Sequence, residues 1–159
     1  MVDYITFWRL TDPYPEFSQW YPSEFRGDSG VKYCSAEQYM MAHKALLFND
    51  KESYKLIMAV KSPQRIKQLG RKIKNFSEEA WNEHRYQIVL RGTYLKFSQN
   101  EKLREVLLNT KNQVLVEASP VDLVWGAGID ARHVVSEGHW PGLNLLGQAL
   151  MEVREKLKK

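Results

Sequence analysis

The chain of 159 residues is poor in the features that mark secreted, membrane and disulfide-bonded proteins. It has one cysteine, Cys34, which excludes an internal disulfide and is interpreted as a small buried apolar residue rather than a nucleophile. No apolar run approaches the roughly 18 residues of a membrane span, and the N-terminus lacks a basic segment followed by an apolar stretch. We therefore expect a soluble, unexported, cytoplasmic protein.

The sequence also lacks the ligand spacing of a metal site and the composition of an interdomain linker. The four histidines do not show the spacing of a zinc site, so we expect no metal and no cofactor; they are His43, His84, His133 and His139. No Pro/Gly/Ser-rich linker, low-complexity tract or fixed-period repeat interrupts the chain. A hydrophobic content of 43% suits one core, and we predict a single domain over residues 1–159.

The charge balance is basic, because 23 lysines and arginines face 19 acidic residues, which gives +4 and a pI near 9.1. That balance suits an anionic ligand, either a phosphorylated metabolite or a nucleic acid, and does not choose between them. Much of the surplus lies in "KSPQRIKQLGRKIKN" (61–75). This stretch is interpreted as a solvated helix face in preference to a binding patch.

The pattern of apolar and turn residues predicts an α+β, mainly helical single domain with a few short strands. Strands are expected in 3–10, 31–35 and the start of 113–144, with a long aromatic-rich loop over 11–30. Helices are expected after the caps Ser35, Ser62 and Ser77, and at Lys51–Ala59, Glu101–Asn109 and Asn144–Lys158, and Gly70 is expected to end the helix that follows Ser62. The remainder of 113–144 is predicted to be a Gly-rich, Trp-containing loop.

Two charges interrupt the apolar face of the helix predicted over 36–48. At about 100° per residue, Lys44 falls within about 20° of Glu37, and apolar residues such as Met40 and Phe48 flank that direction. We therefore expect both charges to be partly desolvated. Their Cα atoms are about 10.5 Å apart at about 1.5 Å per residue, so a water-filled cleft fits better than a buried ion pair. A desolvated lysine has a lowered pKa, and its neutral amine is a nucleophile.

Several longer segments together carry a family resemblance. They are "FSQWYPSEF" (17–25), "AEQYMMAHKALLF" (36–48), "LGRKIKNF" (69–76), "W" at 81, "KF" at 96–97, "LVEASPVDLVWGAGI" (115–129) and "WPGLNLLGQALMEVRE" (140–155). In this order they resemble the NADAR family of YbiA-like N-glycosidases over nearly the whole chain. Two positions depart from the family pattern: Gln19 replaces the common asparagine, and Ala127 replaces a larger aliphatic residue.

The resemblance implies a mainly helical α+β domain that hydrolyses the N-glycosidic bond between a ribose and a base-like nitrogen. Family members are associated with ribosylaminopyrimidine 5′-phosphates of riboflavin biosynthesis, or with ADP-ribose linked to guanine in DNA. The resemblance also implies that Lys44 is the catalytic lysine, forming a Schiff base with the opened sugar, and that Glu37 is its partner carboxylate.

Other residues are candidates for stabilising and binding the substrate. A ribosyl cation needs nearby carboxylates, and Glu117 and Asp122 are candidates, although each is equally well explained as a turn or capping carboxylate. Trp125 beside Gly126 can stack on a base or lie in the core. Further substrate-binding candidates are Ser18, Gln19 and Trp20 in the aromatic loop, Arg71 and Lys96 as phosphate contacts or plain surface charges, and Asn144 as the cap of an anion-binding helix.

Two other classes of function remain open at this point. A noncatalytic module that binds nucleotides or modified nucleic acid would explain the basic, aromatic composition but leaves Lys44 on an apolar face without a purpose. A structural partner protein would need no cleft at all. We favour the metal-independent N-glycosidase, with a ribosyl phosphate, ADP-ribose or ADP-ribosylated DNA as its substrate and no membrane partner.

Overall fold

The computed structural model describes residues 2–159, and the chain divides into two compact units. The middle unit is Pro22–Asn100, and the terminal unit combines the chain up to Tyr21 with Glu101–Lys159. The predicted fold class, α+β and mainly helical with a few short strands, is confirmed. Among residues 2–159, no helix combines the length and apolar character that a membrane crossing requires.

The elements follow one another along the chain in an irregular order. They are β1 (Tyr4–Phe7), a 3₁₀ turn (Pro15–Phe17), β2 (Phe25–Arg26), β3 (Lys32–Tyr33), α1 (Ala36–Leu47), α2 (Lys51–Met58), α3 (Pro63–Gly70), α4 (Glu78–Gln99), α5 (Glu101–Leu108), β4 (Val114–Glu117), α6 (Ala131–Glu137) and α7 (Leu145–Leu157). The helices predicted at Lys51, Glu101 and Asn144 are therefore present, with ends that differ by one residue.

Local capping explains where the helices of the middle unit begin. The predicted caps Ser35, Ser62 and Ser77 each accept a hydrogen bond from the backbone N–H three residues later. Asp50 caps α2 in the same way, which the sequence reading did not anticipate. All four helices of the middle unit therefore begin where a side-chain oxygen satisfies an amide that the helix leaves unpaired.

The middle unit is built around α1, which packs against α2, α3 and α4. Ala42 and Ala45 are fully buried, because small side chains let neighbouring helices approach. Tyr39 on another side of α1 is also buried, so the helix is covered nearly all round, while Leu46 stays 47% exposed. The short strands β2 and β3 pair antiparallel in this unit.

The terminal unit joins the two ends of the chain. Strand β1 pairs in parallel with β4, in a register that places Tyr4 opposite Val114. Helix α7 packs against β4, and α6 packs against β1. Gly147 makes the α7 contact possible, because a β-carbon there would clash with the Leu115 carbonyl oxygen. A larger residue at position 147 would push helix and strand apart.

Two local expectations were wrong. The region predicted to be a loop contains α6, which begins at the Asp130 cap and ends at Gly138, where φ is 70°. Asn144 precedes α7 but makes no side-chain cap. Its amide instead donates to Leu115 O at 3.0 Å and its oxygen accepts from Glu117 N at 3.0 Å. The side chain therefore fixes β4, and its left-handed backbone (φ 51°) turns the chain into α7.

Candidate active site

Lys44 lies in the last turn of α1 with its side chain half-buried. Its ammonium nitrogen donates to Gly70 O at 3.0 Å. The same nitrogen lies 4.8 Å from the centroid of the Phe76 ring and 5.4 Å from that of Trp81. The expectation that Lys44 is partly desolvated on an apolar face is confirmed.

The electrostatic environment of Lys44 has three parts. Burial is the largest influence and lowers the pKa of its amine, because the charged form loses hydration. The charge of Glu37 opposes this effect and raises the pKa, whereas the charge of Arg71 lowers it further. The net result is a pKa below the ordinary value, which increases the fraction of neutral, nucleophilic amine at a given pH.

Glu37 lies in the first turn of α1 and is only 4% exposed, so the expected desolvation of this carboxylate is confirmed. A buried carboxylate is costly unless hydrogen bonds or positive charge compensate it. The effect of Glu37 on the pKa of Lys44 indicates that the two groups are close enough to interact electrostatically. One helix therefore carries a buried carboxylate and a half-buried amine.

Gly70 supplies the carbonyl that anchors Lys44 because the end of α3 lies very close to α1. A β-carbon at Gly70 would clash with the side chain of Met41. Gly70 is itself buried, and the helix ends there, which leaves its carbonyl available to a side chain. The sequence suggested Gly70 only as a helix end, and spacing alone gave no sign of this contact.

The two basic candidates have opposite environments. Arg71 is exposed directly after α3 and lies near enough to influence the pKa of Lys44. Lys96 on α4 is 1% exposed, and its nitrogen lies 5.0 Å from the centroid of the Phe97 ring. The alternative that Lys96 is a plain surface charge is therefore wrong, because the side chain is buried. The other cations of 61–75 are exposed, as expected for a solvated face.

The loop after β4 brings a second group of candidates together in the terminal unit. The chain returns on itself, with Ala127 N donating to Glu117 O at 2.8 Å. Gly126 lies against the Glu117 carboxylate, where a β-carbon would come within 2.6 Å of Oε2. Asp122 Oδ1 accepts from Val124 N and from Trp125 N, each at 2.9 Å. Asp122 therefore has the turn-forming role that was one of its two interpretations.

Trp125 is half-buried, so its ring has an accessible part. Its carbonyl accepts from Leu146 N at 3.2 Å, and the Val124 carbonyl accepts from Leu145 N at 3.1 Å. These bonds occupy the first amides of α7. The expectation that the N-terminus of α7 binds an anion is therefore wrong for the amides of Leu145 and Leu146, because the loop carbonyls already accept their hydrogen bonds.

The aromatic loop near the N-terminus is anchored by Phe17, which is 1% exposed and packs edge-on against Phe7 at 5.6 Å between ring centroids. Ser18 and Gln19 are each 9% exposed. Ser18 Oγ accepts from Trp20 N at 3.1 Å, and the Trp20 side chain is half-buried. Ser18 thus shapes the backbone that carries Trp20.

Within residues 2–159, no group of three or more His, Cys, Asp or Glu side chains is arranged to hold a metal ion. Cys34, expected to be a buried apolar residue, is half-buried, and burial raises the pKa of its thiol. Of the residues that contact Lys44, the sequence predicted a functional role for none of Gly70, Phe76 and Trp81. Phe76 and Trp81 stood out only as part of the family-like pattern.

Comparison with known proteins gives a consistent result. A family model described as "NADAR domain" matches residues 6–158. The chain is 49% identical over 146 residues to N-glycosidase R617 of Acanthamoeba polyphaga mimivirus, covering 88% of this chain and 86% of that protein. It is 32% identical to N-glycosidase YbiA of Escherichia coli, covering 96% and 88% of the two chains. The NMR structure of E. coli YbiA superposes with a TM-score of 0.81, covering 99% of this chain and 87% of that one, at 30% identity.

A plant protein is also similar over most of this chain. The riboflavin biosynthesis protein PYRR of Zea mays, described as chloroplastic, is 32% identical over 164 residues. The match covers 96% of this chain but only 25% of PYRR. The similarity therefore concerns one part of a longer protein.

Proposed function

This chain belongs to the NADAR domain family and is an N-glycosidase like its named relatives, and from that premise we propose that it cleaves the bond between C1 of a ribose and a base nitrogen. The observation that carries the proposal is the half-buried amine of Lys44, anchored at Gly70 O and lowered in pKa by burial. An amine with a lowered pKa, on the same helix as a buried carboxylate, suits covalent catalysis at a sugar carbon.

The proposed reaction begins when the C1–N bond breaks and the base leaves with a proton. Lys44 Nζ bonds to C1 and gives up a proton, and the bond between C1 and the ring oxygen then opens. The ring oxygen takes a proton to become a hydroxyl, and a protonated imine joins Nζ to C1. Water adds to C1 and releases the free sugar and the amine. Glu37 stabilises the positive charge on the sugar or transfers the protons.

The other candidate residues receive supporting roles in the proposal. Within the terminal unit, Glu117 stays a predicted carboxylate of the reaction, Asp122 shapes the loop that carries Trp125, and the half-buried Trp125 stays a predicted base-stacking residue. Arg71 is the better phosphate contact because it is exposed, whereas Lys96 is buried. Ser18, Gln19, Trp20 and Gly126 stay predicted substrate contacts of the terminal unit, where Asn144 Oδ1 accepts a hydrogen bond from Glu117 N.

The substrate we place first is a ribosylaminopyrimidine 5′-phosphate of riboflavin biosynthesis. The similarity to PYRR, whose name assigns it to riboflavin biosynthesis, supports this choice. ADP-ribose linked to guanine in DNA is the second candidate. It is favoured by the six basic side chains of 61–75, which are all exposed and have no acidic residue among them; one of the six, Arg71, influences the pKa of Lys44. Both substrates present a ribose C1–N bond and phosphate.

Borohydride trapping tests the proposal, with each substrate offered separately. The reagent reduces an imine to a stable amine, so treatment during turnover is expected to leave a sugar mass on the peptide that carries Lys44. Lys44→Arg keeps the charge but stays protonated, so it is expected to fold and to lose turnover and adduct. Glu37→Gln is expected to slow turnover while sparing binding. Lys55→Arg, at an exposed lysine of α2, is the matched control.

Two results would contradict the assignment. Full activity of Lys44→Arg would remove the nucleophile, and a dead Lys44→Arg without any trapped adduct would give the lysine an electrostatic role instead. Binding of both substrates without product from either would favour a noncatalytic binding module.

A further inference from the structure

Two aromatic rings flank the amine of Lys44, and both come from outside its own helix. Phe76 lies in the segment between α3 and α4, and Trp81 lies in the first turns of α4. Their ring centroids are 4.8 Å and 5.4 Å from Lys44 Nζ, and Gly70 O lies 3.0 Å from the same atom. A carbonyl oxygen and two π faces are all groups that attract a cation.

Core packing does not explain the position of Phe76. Its side chain is 46% exposed, whereas the core aromatics of this unit are almost completely buried. The ring is held by Phe48, which is 8% exposed and meets it edge-on at 5.3 Å between centroids. Phe76 is therefore fixed on one side by another ring while it faces the amine of Lys44.

We propose that Phe76 and Trp81 are positioning residues of the reaction, which hold Lys44 Nζ against Gly70 O and stabilise positive charge on that nitrogen. The inference rests on the proposed function, in which Nζ is positively charged in the resting ammonium and again in the protonated imine. Because both rings are uncharged, they stabilise these cations without forming an ion pair that would have to break for reaction.

The rings act alongside the charges that surround Lys44. Glu37 on α1 favours the ammonium, and Arg71, directly after α3, disfavours it. From α4 the uncharged ring of Trp81 faces the amine. The two rings have opposite effects on the protonation of Lys44. They exclude water, which favours the neutral amine, and they present π faces, which favour the ammonium. Leucine in place of either ring keeps most of the apolar bulk and removes the π face.

Competitive labelling of lysines with an amine-reactive anhydride across a pH series, read by mass spectrometry, tests the proposal without requiring activity. The labelling midpoint of Lys44 is expected to fall by about half a pH unit in Phe76→Leu and in Trp81→Leu. Phe76→Tyr and Trp81→Phe keep a π face and are expected to leave the midpoint in place. Leu46→Ala, at a comparably exposed apolar position on α1, is the matched control.

The outcomes separate this proposal from the proposed function. A labelling midpoint of Lys44 that stays constant or rises in both leucine variants would overturn the proposed role of the rings. They would then only exclude water from the amine. Phe76 is half-exposed, so Phe76→Leu is expected to fold even if Trp81→Leu does not. Absence of a borohydride adduct in the unchanged protein would overturn the nucleophile, while a falling labelling midpoint would still establish that the rings stabilise the cation.

Discussion

At position 126, the carboxylate of Glu117 occupies space that a β-carbon would need. A β-carbon built there would come within 2.6 Å of Glu117 Oε2 and 3.0 Å of the Glu117 carbonyl oxygen. Asp122 O would be 3.1 Å away. The absence of a side chain at Gly126 is therefore what lets the candidate carboxylate of Glu117 lie against the loop.

Gly126→Ala is expected to displace the Glu117 carboxylate and to reduce kcat/KM on the order of 100-fold if that carboxylate takes part in proton transfer or charge stabilisation. Glu117→Gln is expected to cause a similar loss. Because both changes act on the same group, the double variant is expected to lose little more than either single variant.

Steady-state kinetics of the three variants, with thermal unfolding of each, measures this coupling. Losses that multiply in the double variant would show that Gly126 and Glu117 act independently. An unchanged kcat/KM in Glu117→Gln would return Glu117 to a structural role.

Among the elements, α2 depends on one buried carboxylate at its start. Asp50 Oδ1 accepts from Ser53 N at 3.0 Å, and Oδ2 accepts from Ser53 Oγ at 2.6 Å and from Lys74 N at 2.8 Å. The hydrogen bond from Lys74 N is the largest influence on its pKa, followed by those from Ser53, and together they lower the pKa of Asp50 to about 2. The carboxylate thus joins the start of α2 to the segment after α3.

Asp50→Asn is expected to lower the thermal midpoint at pH 7, because an amide offers only one acceptor oxygen where the carboxylate offers two. The native pKa lies below the unfolded value of about 3.9, so the stabilisation is complete above that value and is lost as pH falls towards 2. The difference in midpoint between the unchanged protein and Asp50→Asn is therefore expected to narrow between pH 4 and about 2.

Thermal unfolding followed by circular dichroism over this pH range measures the narrowing. Asp130→Asn, at the exposed cap of α6, is the control, with a smaller effect expected because water can replace its hydrogen bonds. A difference in thermal midpoint between the unchanged protein and Asp50→Asn that stays constant from pH 7 to 2.5 would contradict the assigned role of Asp50.

Local signals predicted the helices better than they predicted the loops. The caps Ser35, Ser62 and Ser77 bond to amides three residues away, so a short window of sequence contains the whole interaction. Asn144 bonds instead to β4, 27 residues away at Glu117, and no local pattern reports such a contact. Helix α6 had a start signal at Asp130, but the surrounding glycines favoured a loop.

The same limit applies to the candidate site: the sequence predicted the pattern within one helix but not the contacts between helices. Helical periodicity placed Glu37 and Lys44 on one apolar face, and their burial follows from that pattern. The groups that hold the amine could not be deduced, because Gly70 is 26 residues from Lys44 and is brought close by helix packing. The burial of Lys96 is likewise a property of the folded chain, since nothing in its sequence neighbourhood distinguishes it from a surface lysine.

At the scale of the whole molecule, the middle unit is continuous in sequence, whereas the terminal unit is assembled from both ends of the chain. The two ends of the middle unit are joined by side-chain bonds. Arg26 N donates to Gln99 Oε1 at 2.8 Å, Gln99 Nε2 donates to Arg26 O at 2.7 Å, and Asn100 Nδ2 donates to Glu24 O at 3.1 Å.

This joining has a consequence for the order in which the protein folds. Pairing of β1 with β4 must close a loop that contains the entire middle unit, and closure entropy grows with the logarithm of loop length. If Pro22–Asn100 forms first and its ends are joined through Gln99, the remaining loop is short and closure costs about 1 kcal/mol less. In pulsed hydrogen exchange during refolding, amides of α1 and α4 are expected to gain protection before Ile5 and Phe7. Gln99→Ala is expected to delay β1 specifically, and simultaneous protection of both units would contradict this order.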